Sequence, residues 1–435
     1  MDRTTTVQRV KAVPYVYPLK VGPTRRYLVD QRNRPFLIVG DSPQALIANL
    51  STRQADAFLA DRSAYGFNTV WVNLVCDTYT GGRSDGSTYD GIRPFRVQGD
   101  LSTPNPDYFA RADQMIRLAA KYGITVFLDP IETGGWLDVL RANGVAKAFT
   151  YGRYLGRRYR SFANIVWMSG NDFSLASDPS DDALALAVAR GIKSADPRHI
   201  QTVELAPPKL SGSLDDPRWR HVIGLDAAYA YTFGPTYAYV LKEYARQHFL
   251  PVFMVETNYE GENQYRGPET LRRQEYWTLL SGATGQFYGN TYTWPFKDGW
   301  QSHLDTVGSR QMTYVTNLFA GRPWFQLKPD VAHKVLVRGY GTHVSTGNVN
   351  DSDYATAART PDGTAVIAYL PTIRTVTIDM TKLSGQVRAQ WYDPAAGRYV
   401  RVPGSPLRNV GTKRFTPPGN NADGDGDWVL VLTAG

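Results

Sequence analysis

From about residue 26 to about residue 322 the chain alternates strand signals and helix signals eight times, and few folds can absorb that pattern. The candidate strands are Phe36–Gly40, Thr69–Val75, Thr125–Asp129, Ile165–Met168, Ile200–Glu204, Val222–Asp226, Val252–Glu256 and Gln286–Asn290. Short apolar runs without a polar alternation suit strands covered on both faces, as in a parallel sheet. The segments between most of them read as helices. Pro106-Asp107 opens one in which Phe109, Ala112, Met115, Ile116 and Ala119 recur at three- and four-residue spacing. Asp181-Asp182 and Gly267-Pro268-Glu269 open two more, with Pro and acidic residues where a first turn favours them. Parallel strands joined by right-handed helical crossovers, repeated eight times, close into an α/β (β/α)8 TIM barrel, expected over residues 26–330. The competing arrangement, a doubly wound open sheet, normally carries a glycine-rich phosphate turn after its first strand. Val39-Gly40-Asp41-Ser42-Pro43 stands there instead. The fifth connection, Pro207 to Trp219, is rich in Pro, Gly and Ser and is expected to be a loop or short helix.

After Gly321-Arg322-Pro323-Trp324 the pattern changes to short alternating stretches separated by turns, Asp362-Gly363 being a hairpin signal. The expectation is a C-terminal antiparallel β-sandwich over residues 331–435, joined to the barrel without a low-complexity linker. Residues 1–25 form an N-terminal segment ahead of the barrel.

Hydrophobic residues make up 42% of the chain, enough for a large core and too many for a disordered one. No run approaches the length of a membrane span. The first residues, Met1-Asp2-Arg3-Thr4, lack the apolar stretch of a signal peptide, so the protein is expected to be cytoplasmic, or secreted or periplasmic after removal of a leader. Cys76 is the only cysteine, which excludes an intrachain disulfide and a cysteine-based zinc site; it reads as a buried strand residue. The net charge of +8 is scattered, and its densest run, Arg157-Arg158-Tyr159-Arg160, fits a helix C-terminus better than a nucleic-acid surface. The six histidines show no metal-binding spacing, and no metal or cofactor is expected. Asp423-Gly424-Asp425-Gly426-Asp427 resembles the start of a calcium loop but has Ala434 at the twelfth position, so a turn before the last strand is the better reading.

Two strand ends carry the chemistry. Ile165-Val166-Trp167-Met168-Ser169-Gly170-Asn171-Asp172 and Val252-Phe253-Met254-Val255-Glu256 each pass from an apolar run to a carboxylate. Barrel active sites lie at the C-terminal strand ends, and two carboxyl groups there suit glycosidic bond cleavage, one as acid and one as nucleophile or base. Asp172 could instead cap the following segment, and Glu256 could pair with a barrel arginine. Asp41, Asn73, Asp77, Asp129, Glu132, Glu204, Asp226 and Asn290 fall at other predicted strand ends, with Asp41 and Glu204 favoured as substrate contacts. Trp136, Tyr229, Tyr231, Tyr288, Tyr292, Trp294 and Trp300 are expected on the same rim as stacking surfaces for sugar rings, and Asn171 as a hydrogen-bonding partner of a sugar hydroxyl.

The stretch Tyr159-Arg160 through Asn164-Ile165-Val166-Trp167-Met168-Ser169-Gly170-Asn171-Asp172, the Glu256 strand, Ala283-Thr284-Gly285-Gln286-Phe287-Tyr288-Gly289-Asn290, Pro323-Trp324-Phe325-Gln326-Leu327-Lys328-Pro329-Asp330 and Gly424-Asp425-Gly426-Asp427-Trp428 together resemble the apiosidase-like glycoside hydrolases. These are barrels with a C-terminal β-sandwich that carries a collagen-binding label. The resemblance implies a retaining glycosidase acting on an oligo- or polysaccharide of plant or bacterial origin, with Asp172 as acid/base, Glu256 as nucleophile, and furanosides as a substrate class. After Gly40-Asp41 the family has Thr and then Trp; Ser42-Pro43-Gln44-Ala45-Leu46 stands here, so a different first subsite is expected. The alternatives are a non-catalytic carbohydrate-binding barrel and an adhesive role for the sandwich. Oligomeric state is left open.

Overall fold

The computed structural model describes residues 14–173, 180–207 and 210–435. Residues 1–13 of the N-terminal segment and positions 208 and 209 of the fifth connection lie outside the described residues. Eight parallel strands form one sheet: β1 (Ile38–Asp41), β2 (Thr69–Asn73), β3 (Thr125–Asp129), β4 (Ile165–Phe173), β5 (Gln201–Leu205), β6 (Asp226–Tyr229), β7 (Val252–Glu256) and β8 (Gly285–Tyr288). The order β5-β4-β3-β2-β1-β8-β7-β6 brings β1 between β2 and β8, as in the expected barrel. Around it lie α1 (Thr52–Ala64), α2 (Pro106–Lys121), α3 (Thr133–Tyr159), α4 (Asp181–Ala195), α5 (Thr236–Tyr244), α6 (Pro268–Leu280) and α7 (Val307–Ala320). None of the described helices is long and apolar enough to cross a membrane.

Local chemistry sets these boundaries. Ser51 and Gln54 form a capping box that starts α1. Asn105 accepts the Asp107 amide at 3.2 Å and Pro106 occupies the first turn of α2, whose Phe109, Ala112, Met115, Ile116 and Ala119 are all buried. Inside the barrel the rings of Phe127, Phe253 and Phe287 pack edge to face or tilted, with centroids 5.1 to 5.7 Å apart. Gly40 on β1 makes room for them: a Cβ there would lie 1.9 Å from the Phe287 ring. A small N-terminal sheet (Lys20–Val21, Leu28–Val29, Pro35–Phe36) adds Leu28 and Phe36 to the same apolar cluster.

The sixth strand differs from the expectation. It is Asp226–Tyr229, whereas Val222 and Ile223 lie outside the sheet and pack with Leu186, Trp219 and Val203 of β5. Two alanines form the middle of β6, and they give a weak strand signal beside the β-branched pair that precedes them. Asp226 therefore opens its strand and lies away from the C-terminal rim, with burial and the neighbouring Glu243 raising its pKa. Among the described residues β5 and β6 share no ladder. The fifth connection fills the seam: Gly212 bridges Ala228, and the Ser213 hydroxyl donates to the Val203 carbonyl at 2.5 Å while accepting the Ala227 amide at 2.8 Å.

The C-terminal region has a six-stranded antiparallel sheet (Lys328–Pro329, Thr356–Arg359, Ala365–Leu370, Trp428–Ala434, Val387–Asp393, Arg398–Arg401) facing a three-stranded one (Leu336–Arg338, Val376–Asp379, Thr412–Phe415). Val366, Leu370, Ile378, Trp391 and Leu430 are in the core between them. The outer face of the larger sheet shares a second cluster with α6 and α7, where Tyr276 stacks on Tyr369 at 5.2 Å and 13° and the Trp277 indole donates to the Tyr354 carbonyl at 2.9 Å. At the edge of this interface the Arg272 guanidinium, 1% exposed, donates to both Asp427 oxygens at 2.9 Å, to Asp423 at 3.0 Å and to Asp425 at 2.6 Å. The acidic turn before the last strand is thus aimed at a cation of the barrel. Breaking a buried ion pair from one side costs about 3–5 kcal/mol, because the other charges stay behind without a partner. Arg272→Met is expected to lower unfolding free energy by about that amount, measured by urea denaturation, with partial recovery when Asp423, Asp425 and Asp427 are also changed to Asn.

Candidate active site

At the C-terminal end of β4 three consecutive residues have positive φ: Gly170 at 120°, Asn171 at 73° and Asp172 at 54°. Gly170 is required by proximity, since a Cβ there would lie 2.4 Å from the Glu204 carbonyl oxygen on β5. Asn and Asp are the non-glycine residues that best tolerate this left-handed backbone, and longer Glu is poorer. Backbone strain of this kind concentrates at functional sites. The result turns the Asp172 carboxyl into the barrel mouth, where one oxygen each of Asp172, Glu204 and Glu256 lie within 4.8 Å of one another.

Their surroundings differ. Asp172 is half-buried and accepts two short hydrogen bonds, from the Tyr79 hydroxyl to Oδ2 and from the Tyr229 hydroxyl to Oδ1, both 2.6 Å. Glu204 is 0% exposed and accepts the Asp172 amide at 3.3 Å. Glu256 is 7% exposed and faces Glu204 and the Tyr259 hydroxyl. Burial, reinforced by the Asp172 charge, pushes the Glu204 carboxyl up to about 8 and the Glu256 carboxyl well above the usual carboxylate range.

A cavity of 240 Å³ opens over this group, lined by Gln44, Tyr79, Thr80, Asn171, Asp172, Tyr229, Tyr231, Glu256, Tyr259, Glu262 and Trp294. Of the residues singled out in the sequence, Asn171, Asp172, Tyr229, Tyr231, Glu256 and Trp294 reach it. Glu204 stands behind Asp172 and does not line it. Asp41 is fully buried 3.6 Å from Arg62, with its pKa raised by burial to about 6. Asn73 orients Asn171, donating to its Oδ1 at 3.1 Å. Asp129 is fully buried beneath the rim and accepts the Ile131 amide. Asn290 binds Glu260 and the Tyr292 amide, and Tyr288 donates to the same Glu260. Tyr292 stacks on His303.

Trp136 and Trp300 do not wall the cavity. Trp136 packs edge to face on Phe95, Trp300 packs on Phe58 and Phe296, and all belong to the main core cluster. A large indole in a loop finds more area against a core than at a rim. Cys76 is buried and its thiol pKa is raised by burial.

The residues missed are Gln44, Tyr79, Thr80, Tyr259 and Glu262. Tyr79 had a signal, being an aromatic a few residues beyond the second strand. Its loop is pinned by Glu132, which accepts the Asp77 amide at 2.9 Å, the Thr80 hydroxyl and the Asn73 amide group. Glu132 thereby positions Tyr79 without touching the cavity, and burial raises its pKa to about 9. On the other side α6 holds the loop after Glu256, as Gln274 donates to Thr257 Oγ1 and the Asn258 carbonyl at 3.1 Å and accepts the Asn258 amide at 3.0 Å. The segment that Asp172 could have capped falls at 174–179, outside the described residues.

Raised carboxyl pKa values stabilise the fold while the groups are protonated. Glu204 contributes fully below its unfolded value of 4.5 and loses that contribution as pH rises through about 8; Asp41 acts in the same direction up to about 6. Unfolding free energy from urea titrations is expected to fall between pH 5 and pH 8.5, and Glu204→Gln to flatten that decline.

A sequence model described as "Apiosidase-like, catalytic domain" matches residues 23–326, and one described as "Putative collagen-binding domain of a collagenase" matches residues 342–433. No curated protein matches. A crystal structure of a family 5 glycoside hydrolase from Bacteroides vulgatus is similar at TM-score 0.82 and 21% identity, covering 97% of this chain and 95% of that one. A second structure, described as a glycoside hydrolase, is similar at TM-score 0.82 and 22% identity, covering 97% and 99%. These likenesses support the fold of both domains. The catalytic-domain match spans well over half of the chain, which belongs to the apiosidase-like family of glycoside hydrolases.

Proposed function

We propose that this glycoside hydrolase works by retention, with Asp172 as acid/base and Glu256 as nucleophile. The observation that supports it most is the proximity of carboxyl oxygens at the mouth, within 4.8 Å. Retaining enzymes hold their two carboxyl groups about 5–5.5 Å apart, whereas inverting enzymes need about 6.5–9.5 Å to admit a water between carboxylate and sugar. Exposure supports the division of roles. The acid/base must exchange protons with the leaving group and then with water, and Asp172 is the accessible member of the cluster. The nucleophile needs only the anomeric carbon, and Glu256 is nearly buried.

In the first step Asp172 passes its proton to the glycosidic oxygen while Glu256 bonds to the anomeric carbon and the aglycone leaves. In the second, Asp172 takes a proton from water, whose oxygen displaces Glu256. The Tyr79 and Tyr229 hydroxyls fix the Asp172 carboxyl, and each can turn from donor to acceptor as Asp172 gains or loses its proton. Tyr231 and Trp294 offer aromatic surface to a sugar ring. A cavity of 240 Å³ suits one terminal sugar, and the family membership favours a furanoside of a plant or bacterial polysaccharide.

Wild type, Glu256→Gln and Asp172→Asn should be incubated with a panel of furanoside-bearing and pyranoside-bearing glycans and the released sugars read by mass spectrometry. Wild type is expected to release sugar. Glu256→Gln is expected to lose at least about a thousandfold in kcat, roughly 4 kcal/mol of barrier. Near-full activity of either variant would overturn the assignment. Tyr79→Phe, which removes one hydroxyl from Asp172, is expected to lower kcat by about tenfold, roughly 1.4 kcal/mol, with KM nearly unchanged; an unchanged kcat would remove Tyr79 from the acid/base machinery.

A further inference from the structure

The outer face of the larger sandwich sheet changes character along its strands. In Val387–Asp393 the residues Val387, Ala389 and Trp391 point into the core between the sheets, so Arg388, Gln390 and Tyr392 point outward. Tyr392 lies under the barrel, its hydroxyl donating to the Tyr314 carbonyl of α7 at 2.7 Å. α7 ends at Ala320, and beyond that end the face turns cationic. A groove of 870 Å³ opens there, far larger than the catalytic cavity of 240 Å³. Arg388, Gln390, Arg401 and Thr433 of the sheet line it, together with Arg322 just past α7. The ladders set Thr433 opposite Arg388 and Arg401 opposite Gln390. Arg401 is thus a diagonal neighbour of Arg388, a separation of about 7–8 Å. Neighbouring like charges cost stability unless a counter-ion joins them. Among the described residues no acidic side chain lines the groove, and no carboxylate pairs with Arg322, Arg388 or Arg401. Exposed arginines elsewhere have such a partner: Arg93, Arg141 and Arg310 are each held by an aspartate. Here the acceptors are neutral. Arg322 donates to the Leu318 carbonyl and to the Tyr399 hydroxyl at 2.9 Å, and Arg401 to the Ser405 carbonyl. Both keep further N–H donors free, and Arg388 has no protein partner. Charges on an edge strand such as Arg398–Arg401 guard against pairing with another sheet. That does not account for Arg388, which is on an inner strand, or for Arg322, which is on none.

We propose that this groove is a second glycan site that holds a polysaccharide bearing uronate carboxylates, with Arg322, Arg388 and Arg401 binding the carboxylates and Gln390 and Thr433 binding sugar hydroxyls. A guanidinium fork matches a carboxylate with two parallel hydrogen bonds. Membership of a glycoside hydrolase family supplies the class of polymer, and three uncompensated cations supply its sign. The volume admits a run of sugar units rather than one. The groove is also separate from the catalytic cavity, with which it shares no lining residue. α7 starts beside the ends of β7 and β8, where the Gly308 amide donates to Glu260 at 2.9 Å, and runs about 21 Å before it reaches the groove. The groove therefore tethers polymer and does not present the scissile bond. The proposal stands independently of the roles of Asp172 and Glu256.

The test measures binding of the full chain to polygalacturonate by isothermal titration calorimetry in about 0.15 M salt, where long-range attraction is largely screened. Fully methyl-esterified polygalacturonate has the same sugars without the charge, and dextran sulfate and duplex DNA have charge without carboxylates. Wild type is expected to bind polygalacturonate at least about tenfold more tightly than any of these three. Arg388→Gln is expected to weaken binding by about tenfold, and Arg388→Gln with Arg401→Gln by at least about a hundredfold. Arg388 is exposed and bonds to nothing in the protein, so its variant keeps the fold, which circular dichroism checks for both. Arg157→Gln with Arg160→Gln removes the same charge from exposed residues at the end of α3 and is expected to bind within about twofold of wild type. No binding of wild type to polygalacturonate overturns the proposal. So does equal affinity for the methyl ester, which would make the charge irrelevant, and equal affinity for dextran sulfate or DNA, which would make the groove a general anion surface. Undiminished binding by Arg388→Gln with Arg401→Gln places the polymer elsewhere and overturns it too. An equal loss in Arg157→Gln with Arg160→Gln does the same, by assigning the binding to net charge.

Discussion

Mutual repulsion among carboxyl groups at one end of the barrel governs the design of this molecule. Asp172, Glu204 and Glu256 come from three different strands and meet within 4.8 Å. Water would screen them, but two of the three are buried. Among the described residues the surrounding structure answers with hydroxyl donors on Asp172 and a backbone amide on Glu204 rather than an arginine. An arginine there would pair with the anions permanently, whereas hydroxyls can turn from donor to acceptor as charge develops on a substrate. The left-handed turn at Gly170-Asn171-Asp172 belongs to the same solution, because it lets a short side chain reach the mouth.

The second domain reaches that chemistry through one helix. The face of α6 that carries Arg272, Arg273, Tyr276 and Trp277 docks the sandwich. Gln274, between them in sequence, holds the loop that follows Glu256. The helix is buried along nearly its whole length, which explains its weak amphipathic pattern and why its arginines Arg272 and Arg273 are paired with acids. The sandwich thus serves as the outer wall of the helix that holds the loop after Glu256.

Much of this was legible because buried parallel strands are continuous apolar runs, and their ends mark the rim of a barrel. Asp172 and Glu256 stand where such runs stop, and nothing beyond sequence position was needed to pair them. The sixth strand escaped because its centre is alanine, whose small side chain fits a crowded interior but leaves little pattern. Trp136 and Trp300 were misplaced for the opposite reason: a conspicuous aromatic in a loop says little about which side of the loop it packs on. Tyr79 and Gln44 reach the cavity through tertiary folding of their loops, with Glu132 as the anchor of one of them, and no periodicity encodes that. The third carboxyl was visible as a residue type but not as a role, since the difference between touching substrate and touching Asp172 is a matter of a few ångströms.

The seam between β5 and β6 has a mechanical consequence. Elsewhere the ring is joined strand to strand, whereas here the fifth connection joins it, through the Gly212–Ala228 bridge and the Ser213 hydroxyl between Val203 and Ala227. A ring joined in this way is stiff around most of its circumference and compliant at one point. That point lies one residue before Glu204 and two before Tyr229, on the side of the mouth that holds the acid cluster. Because one bridge and one side chain make the closure in place of a ladder, the rest of this connection can change in length and composition over generations without unmaking the barrel.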